Sequence, residues 1–172
     1  ITNFLSPEKT AYFYVAWMIS ELISVIPNSI GISLFAETAY DNSNIERKLK
    51  RSIKIIYLLL VPLLLGIFFF GKMLLGVFGE EYAHNSTMLL WVLALSSIPS
   101  ALNSAYISYN RIKKNTMGLI FIGIYFFGVF LTLCLMFIKH FDILGIGIAW
   151  LLTNLVFALY VLNYFRNVDY EE

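Results

Sequence analysis

The 172-residue chain is 59% hydrophobic, 17% aromatic and only 13% charged, where a soluble domain carries about 25% charged and 45–50% apolar residues. A mean hydropathy of +0.77 leaves no polar coat for a sphere of this size in water, which excludes a cytosolic enzyme and makes the bilayer the expected solvent. Twelve Lys and Arg against eleven Asp and Glu give a net charge of +1, which supplies no basic field for binding nucleic acid.

Five apolar windows, at 11–36, 54–71, 87–109, 117–138 and 144–165, are each long enough to cross a hydrocarbon core about 30 Å thick. Helices are implied rather than strands, because backbone groups in lipid must bond within their own segment and no alternating pattern points to a barrel. The predicted fold is all-α, a polytopic membrane bundle of five transmembrane helices. The chain opens on Ile rather than Met and has no cleavable leader pattern, so it reads as a piece of a longer protein whose missing part lies upstream.

In the first span a rotation of about 100° per residue places Ser20, Glu21, Ser24, Asn28 and Gly31 in one arc, with Leu22, Ile23, Val25 and Ile26 off it. An acid at mid-helix costs about 2.5–3.5 kcal/mol on insertion, so such a group tends to face protein or water. Pro27 frees a carbonyl one turn earlier and favours a kink beside Asn28. Residues 40–53 then form a polar loop bearing Arg47, Lys48, Lys50 and Arg51. Glu46 and Lys50 at i,i+4, with Ile45, Leu49 and Ile53 at helical spacing, let it form a short surface helix.

The second span contains Pro62, and the loop after it holds Glu80, Glu81, His84 and the sequon Asn85-Ser86-Thr87, a pattern that three residues match often by chance. The third span repeats the theme of the first. Ser96, Ser97, Ser100, Asn103, Ser104, Ser108 and Asn110 fall within about 160° of one another, and Pro99 interrupts the ladder. Two readings stay open for this stripe. Small and hydroxylated residues let membrane helices pack closely, or the first and third spans line a water-filled pathway with Glu21 as a proton or cation site.

The turn 110–116 adds Arg111, Lys113 and Lys114. Gly118, Gly123 and Gly128 of the fourth span, and Gly145, Gly147 and Asn154 of the fifth, suit kinks and close packing. Counting Lys54 and Arg166, nine of the twelve basic residues fall on one side, against Lys9, Lys72 and Lys139 on the other. Positive charge marks the cytoplasmic face, so the C-terminus is expected in the cytoplasm.

No nucleophile, nucleotide or metal motif is present, the lone Cys134 sits in an apolar run, and no residue pattern calls for a cofactor. Glu37 and Asp41 are the only acids near the inner end of the first span that a membrane enzyme could use.

The order of features has a family likeness. A Pro-interrupted span closing in SIGISLFAETAY, the loop ERKLKRSIK, FGEEY before LLWVLALSSIP, and RIKKN before a Gly-rich span together resemble the C-terminal half of polysaccharide-transporter flippases. These share a superfamily with multidrug and toxin extrusion transporters. The resemblance implies twelve or more helices in two lobes, with this chain as helices eight to twelve of a cell-membrane protein and the N-terminal lobe upstream. It also implies a lipid-linked oligosaccharide or polysaccharide precursor as substrate, flipped by alternating access; the one-sided polarity of the first and third spans makes Glu21, Ser24, Asn28, Ser100, Asn103 and Ser104 the candidate pathway residues. One departure is visible: no basic residue lies mid-span to grip a pyrophosphate. A membrane-embedded glycan polymerase or transferase, or a drug or cation exporter, are the alternatives.

Overall fold

The computed structural model describes residues 6–40 and 43–168. All the regular structure among them is helical: α1 (Pro7–Tyr40), α2 (Ile45–Gly76), α3 (Glu80–Asn85), α4 (Thr87–Ile112) and α5 (Thr116–Val168). Apart from the six-residue α3, every helix is long and apolar enough to cross a membrane. The helices run on through Pro27, Pro62 and Pro99 without a break.

α5 is 53 residues long and contains one non-helical residue, Asp142, at φ 57° and ψ −135°. At about 1.5 Å per residue a straight helix of that length would reach about 80 Å, far beyond a bilayer. Instead the arms 116–141 and 143–168 fold back on each other. Phe130 meets Trp150 with ring centres 5.4 Å apart, Tyr125 meets Phe157 at 5.3 Å, and Gly145 lies against the backbone of Phe137. The windows 117–138 and 144–165 fall on the two arms.

Adjacent passes alternate in direction. Near the start of α1 and α4, the Ser86 hydroxyl donates to the Tyr12 carbonyl, while near their ends Gly31 faces Ser108, so the two helices are parallel. α4 and the second arm are parallel too, since Gly147 approaches Leu89, Asn103 bonds Asn154 and Tyr109 meets Tyr164. α2 runs the other way along α4, with Tyr57 at Ile98 and Phe68 at Trp91.

α4 is the central helix. Most of its apolar stretch is buried, whereas α1, α2 and α5 bury only a small part of theirs. One core joins Ala16 and Ile23 of α1, Ile56 and Leu60 of α2, Leu93, Ala94 and Ala101 of α4, and Ile146 of the second arm. The outer faces present Leu22, Leu58, Phe69, Phe127 and Leu159, which water would reject and hydrocarbon accepts at no cost.

The segment read as a possible separate surface helix is instead the first turns of α2. No Gly or Pro interrupts residues 45–61, and Leu49, 3% exposed, is fixed against Leu34 and Ala105. Burial of this stripe holds the basic segment in line with the membrane pass. At 32 residues α2 is about 48 Å long, so its charged turns extend past a hydrocarbon core of about 30 Å.

The same cluster, which also takes in Tyr109, Ile112 and Phe165, brings the basic starts and ends of α2, α4 and the second arm to one end of the bundle. At the other end Lys9 pairs with Asp142 at the bend, and the Tyr12 hydroxyl donates to Glu81 Oε2 at 2.9 Å. Charge is thus segregated along the bundle axis.

The α1–α4 seam depends on small residues. A Cβ added at Gly31 would stand 2.6 Å from the Ser108 Oγ, closer than non-bonded atoms tolerate. Gly31→Ala is expected to cost about 1–2 kcal/mol by overpacking, Ser108→Ala little, and the pair together to recover about 1 kcal/mol of that loss. Thermal unfolding of the four proteins measures the coupling; an alanine penalty that is equal in both backgrounds would mean that the helices do not meet there.

Candidate functional site

On α1, Glu21 and Asn28 are exposed and Ser24 is half-buried. Helical geometry sets Trp17, Ser24 and Asn28 within about 40° of one another, and Trp17 packs on Trp150 of the second arm with ring centres 5.5 Å apart. The polar flank of α1 therefore lies on the side where that helix approaches the second arm. Its neighbours outward are apolar, with Met18 54%, Leu22 67% and Val25 55% exposed, so Glu21 is a carboxylate set among lipid-compatible side chains. Among the described residues no cation is paired with it. Ser20 is turned inward on its own helix, its hydroxyl donating to the Trp17 carbonyl at 2.9 Å, which satisfies the group without a ligand.

The polar arc of α4 divides into three sectors. Ser97 is buried and donates to the Ala94 carbonyl at 2.6 Å, while Ser108 is buried at Gly31; Ser96, buried on the side of Asn103, donates to the Leu93 carbonyl at 2.6 Å. On the opposite edge Asn103, 2% exposed, donates through Nδ2 to the carbonyl oxygen and Oδ1 of Asn154 at 3.0 and 3.2 Å. Asn154 in turn donates to the Trp150 carbonyl at 3.0 Å. Asn110 donates to the Tyr106 carbonyl and accepts from Asn115, closing the turn into α5. Between these edges lie Ser100 and Ser104, both half-buried. The same arc thus serves two seams, with the two half-buried serines between them.

The structure therefore leaves Glu21 and Asn28 exposed and Ser24, Ser100 and Ser104 half-buried, and places Asn103 inside the α4–second arm contact. Asn103 Oδ1 is buried and without a hydrogen-bond partner, so that contact holds one unused acceptor. The partners Trp17, Trp150 and Asn154 complete the arrangement. Trp150 lies six residues inside its span, too deep for an interfacial anchor, and stands one helical turn before Asn154; that i,i+4 spacing was the signal in the sequence.

Chemically, this set offers hydroxyls, an amide and one carboxylate, groups that can exchange hydrogen bonds with a polyhydroxylated ligand. Among the described residues no group of three or more His, Cys, Asp or Glu could hold a metal ion. Cys134 is half-buried, and His84 and His140 are exposed. Glu37 is exposed at the end of α1, and Asp41 lies outside the described residues. In the sequon Asn85 Nδ2 donates to the Glu81 carbonyl and Thr87 to the Ala83 carbonyl, both within the α3–α4 turn, while the buried Ser86 donates across to Tyr12 of α1.

No family model and no solved structure matches the chain. It is 24% identical over 164 residues, 92% of its own length, to a Shigella flexneri protein described as "Putative O-antigen transporter". The chain spans 39% of that protein's length. Together with helices long and apolar enough to cross a membrane, this likeness supports a relation to polysaccharide transporters of the membrane.

Proposed function

We propose that this chain is the C-terminal lobe of a non-enzymatic membrane transporter that flips lipid-linked oligosaccharide or polysaccharide precursors across the cell membrane by alternating access. The observation that carries the reading is the polar flank of α1, Glu21, Ser24 and Asn28, beside the exposed apolar residues Met18, Leu22 and Val25. The likeness to the Shigella protein over nearly the whole chain agrees with it. On this reading the upstream part of the chain supplies the N-terminal lobe, and the flank of α1, with Ser100 and Ser104, lines the cavity between the lobes. On the same reading the basic end of the bundle faces the cytoplasm, and the C-terminus with it; the excess of Lys and Arg at that end supports this orientation.

The physical case rests on desolvation. Moving a sugar through hydrocarbon leaves each hydroxyl unpaired at about 2–7 kcal/mol, so a transporter must present hydrogen-bonding groups along the path while the lipid tail stays in the bilayer. Rocking of one repeat against another then exposes that lining to each side in turn.

Accessibility tests the lining. In the full-length protein, single cysteines at Ser104 and Ala105 are expected to differ in their reaction with a membrane-impermeant thiol reagent: Ser104 is half-buried between the seams, whereas Ala105 is 3% exposed. Strong labelling at Ser104 alone supports the cavity. Equal and negligible labelling at both sites reduces the arc to packing. Loss of precursor translocation with normal precursor synthesis separates the flippase from a polymerase or transferase, and drug efflux without a glycan defect would select an exporter.

A further inference from the structure

Away from the α1 flank, a cavity of about 560 Å³ opens between α4 and the two arms of α5, within the range of ligand clefts, about 300–1,000 Å³. Its walls change character with depth. Toward the basic end stand Tyr106, Tyr160, Tyr164 and Asn115, and deeper in stand Phe121, Ile122, Val156 and Phe157. From Asn115 to Tyr125, the wall residues of the first arm, the cavity extends ten residues, about 15 Å of helix. Gly118 makes room for the Asn110–Asn115 hydrogen bond at the mouth, since a Cβ there would meet Asn115 Nδ2 at 2.6 Å and Asn110 Oδ1 at 2.9 Å.

Among the described residues of α4 and α5, the charge around the mouth is of one sign. Arg111, Lys113 and Lys114 occupy the turn between α4 and α5, Lys113 Nζ stands 5.7 Å from the centre of the Tyr109 ring, and Tyr109 packs on Tyr164 of the cavity wall at 6.4 Å. Arg166 ends the second arm. Between residues 82 and 168 the only acid is Asp142, at the far end of the hairpin; the acids of 169–172 lie outside the described residues. A polar, cationic mouth above an apolar slot fits an amphiphile with an anionic head, and basic pockets between helices on this face are where such headgroups bind.

We propose that this cleft is a binding site for an anionic phospholipid of the leaflet at the basic end, its phosphate at Lys113, Lys114 and the tyrosines and one acyl chain along Phe121, Val156 and Phe157. The proposal needs only that the chain is membrane-embedded and is independent of what the whole protein transports.

Native mass spectrometry of the full-length protein tests it, with dioleoylphosphatidylglycerol, dioleoylphosphatidylcholine and an undecaprenyl-diphosphate sugar as probes. The expected result is one phosphatidylglycerol retained in preference to phosphatidylcholine. At about 1 kcal/mol per basic residue, Lys113→Gln or Lys114→Gln should cut that preference about fivefold, and the double variant about thirtyfold. Val156→Trp, which fills the slot from a half-exposed position, should remove retention while the melting temperature in phosphatidylcholine stays at the wild-type value. If Val156→Trp does not fold, the lysine pair alone decides. Equal retention of both phospholipids, or a preference untouched by the lysine variants, overturns the site; stronger retention of the diphosphate sugar that these variants abolish reassigns it to substrate.

Discussion

Gly145→Val is expected to destabilise the protein by about 3 kcal/mol or more, the upper end of overpacking costs, and Gly145→Ala by about 2 kcal/mol on the same scale. A Cβ at this position would stand 2.5 Å from the Phe137 carbonyl oxygen, 2.6 Å from its carbon and 3.0 Å from the Ile138 nitrogen. These are backbone atoms, so no rotamer change relieves the overlap; the arms of α5 must separate where the chain has just turned at Asp142. Separation would also loosen the contacts that follow, Phe130 on Trp150 and Tyr125 on Phe157. Gly123 and Gly128 are the controls. Nothing lies within 4 Å of a Cβ at either, so alanine there should be neutral or stabilising by up to about 1 kcal/mol, the helix propensity difference. Melting curves of the purified full-length variants measure the contrast, and a Gly145→Ala protein as stable as Gly123→Ala would mean that the arms do not pack as described.

On the proposed function, Glu21→Gln is expected to leave folding intact and to lower transport of the glycan precursor by about 5- to 150-fold, the span of usual coupling free energies. The side chain is exposed on a face with Met18, Leu22 and Val25, and a carboxylate at mid-membrane costs about 2.5–3.5 kcal/mol. Glutamine keeps the shape and removes the charge, so stability should hold or rise. A structural acid and a functional one thus diverge: loss of folding with transport per folded molecule unchanged indicates the first, and loss of transport in a stable protein the second. The readout is export of the precursor in cells, normalised to folded protein in the membrane. Export undiminished by Glu21→Gln removes the coupling role.

Much of the architecture was legible because bilayer crossing is a length and composition problem. Each of the five apolar windows lies within a helix or an arm, and the segregation of basic residues to one end follows from the order of loops. The bend at Asp142 was anticipated only as a gap between windows, set by Lys139, His140 and Asp142; no Gly or Pro marked it. The start of α2 was less legible. Its first turns are as polar as a loop, and their continuity with the membrane pass comes from Leu49 packing on Leu34 and Ala105, a contact between residues distant in sequence.

The polar arcs show the limit most clearly. Periodicity of 3.6 residues assigns Ser97, Ser100, Asn103, Ser104 and Ser108 to one side of α4, but an angle does not name a neighbour. Which of these residues meet α1, which meet the second arm and which lie between depends on where the adjacent helices lie, and that is fixed by the volumes at the seams: Gly31 against Ser108, Gly147 against Leu89, Gly145 against Phe137. By itself the sequence determined that the chain needs a bilayer, how many times it can cross and where its charge resides, since those follow from transfer free energies summed along a segment. Only the tertiary structure decided that Asn103 is tied to Asn154, that Ser100 and Ser104 stay half-buried between two seams, and that tyrosines from three passes enclose one cleft, because each depends on close packing between segments that composition and period leave unpaired.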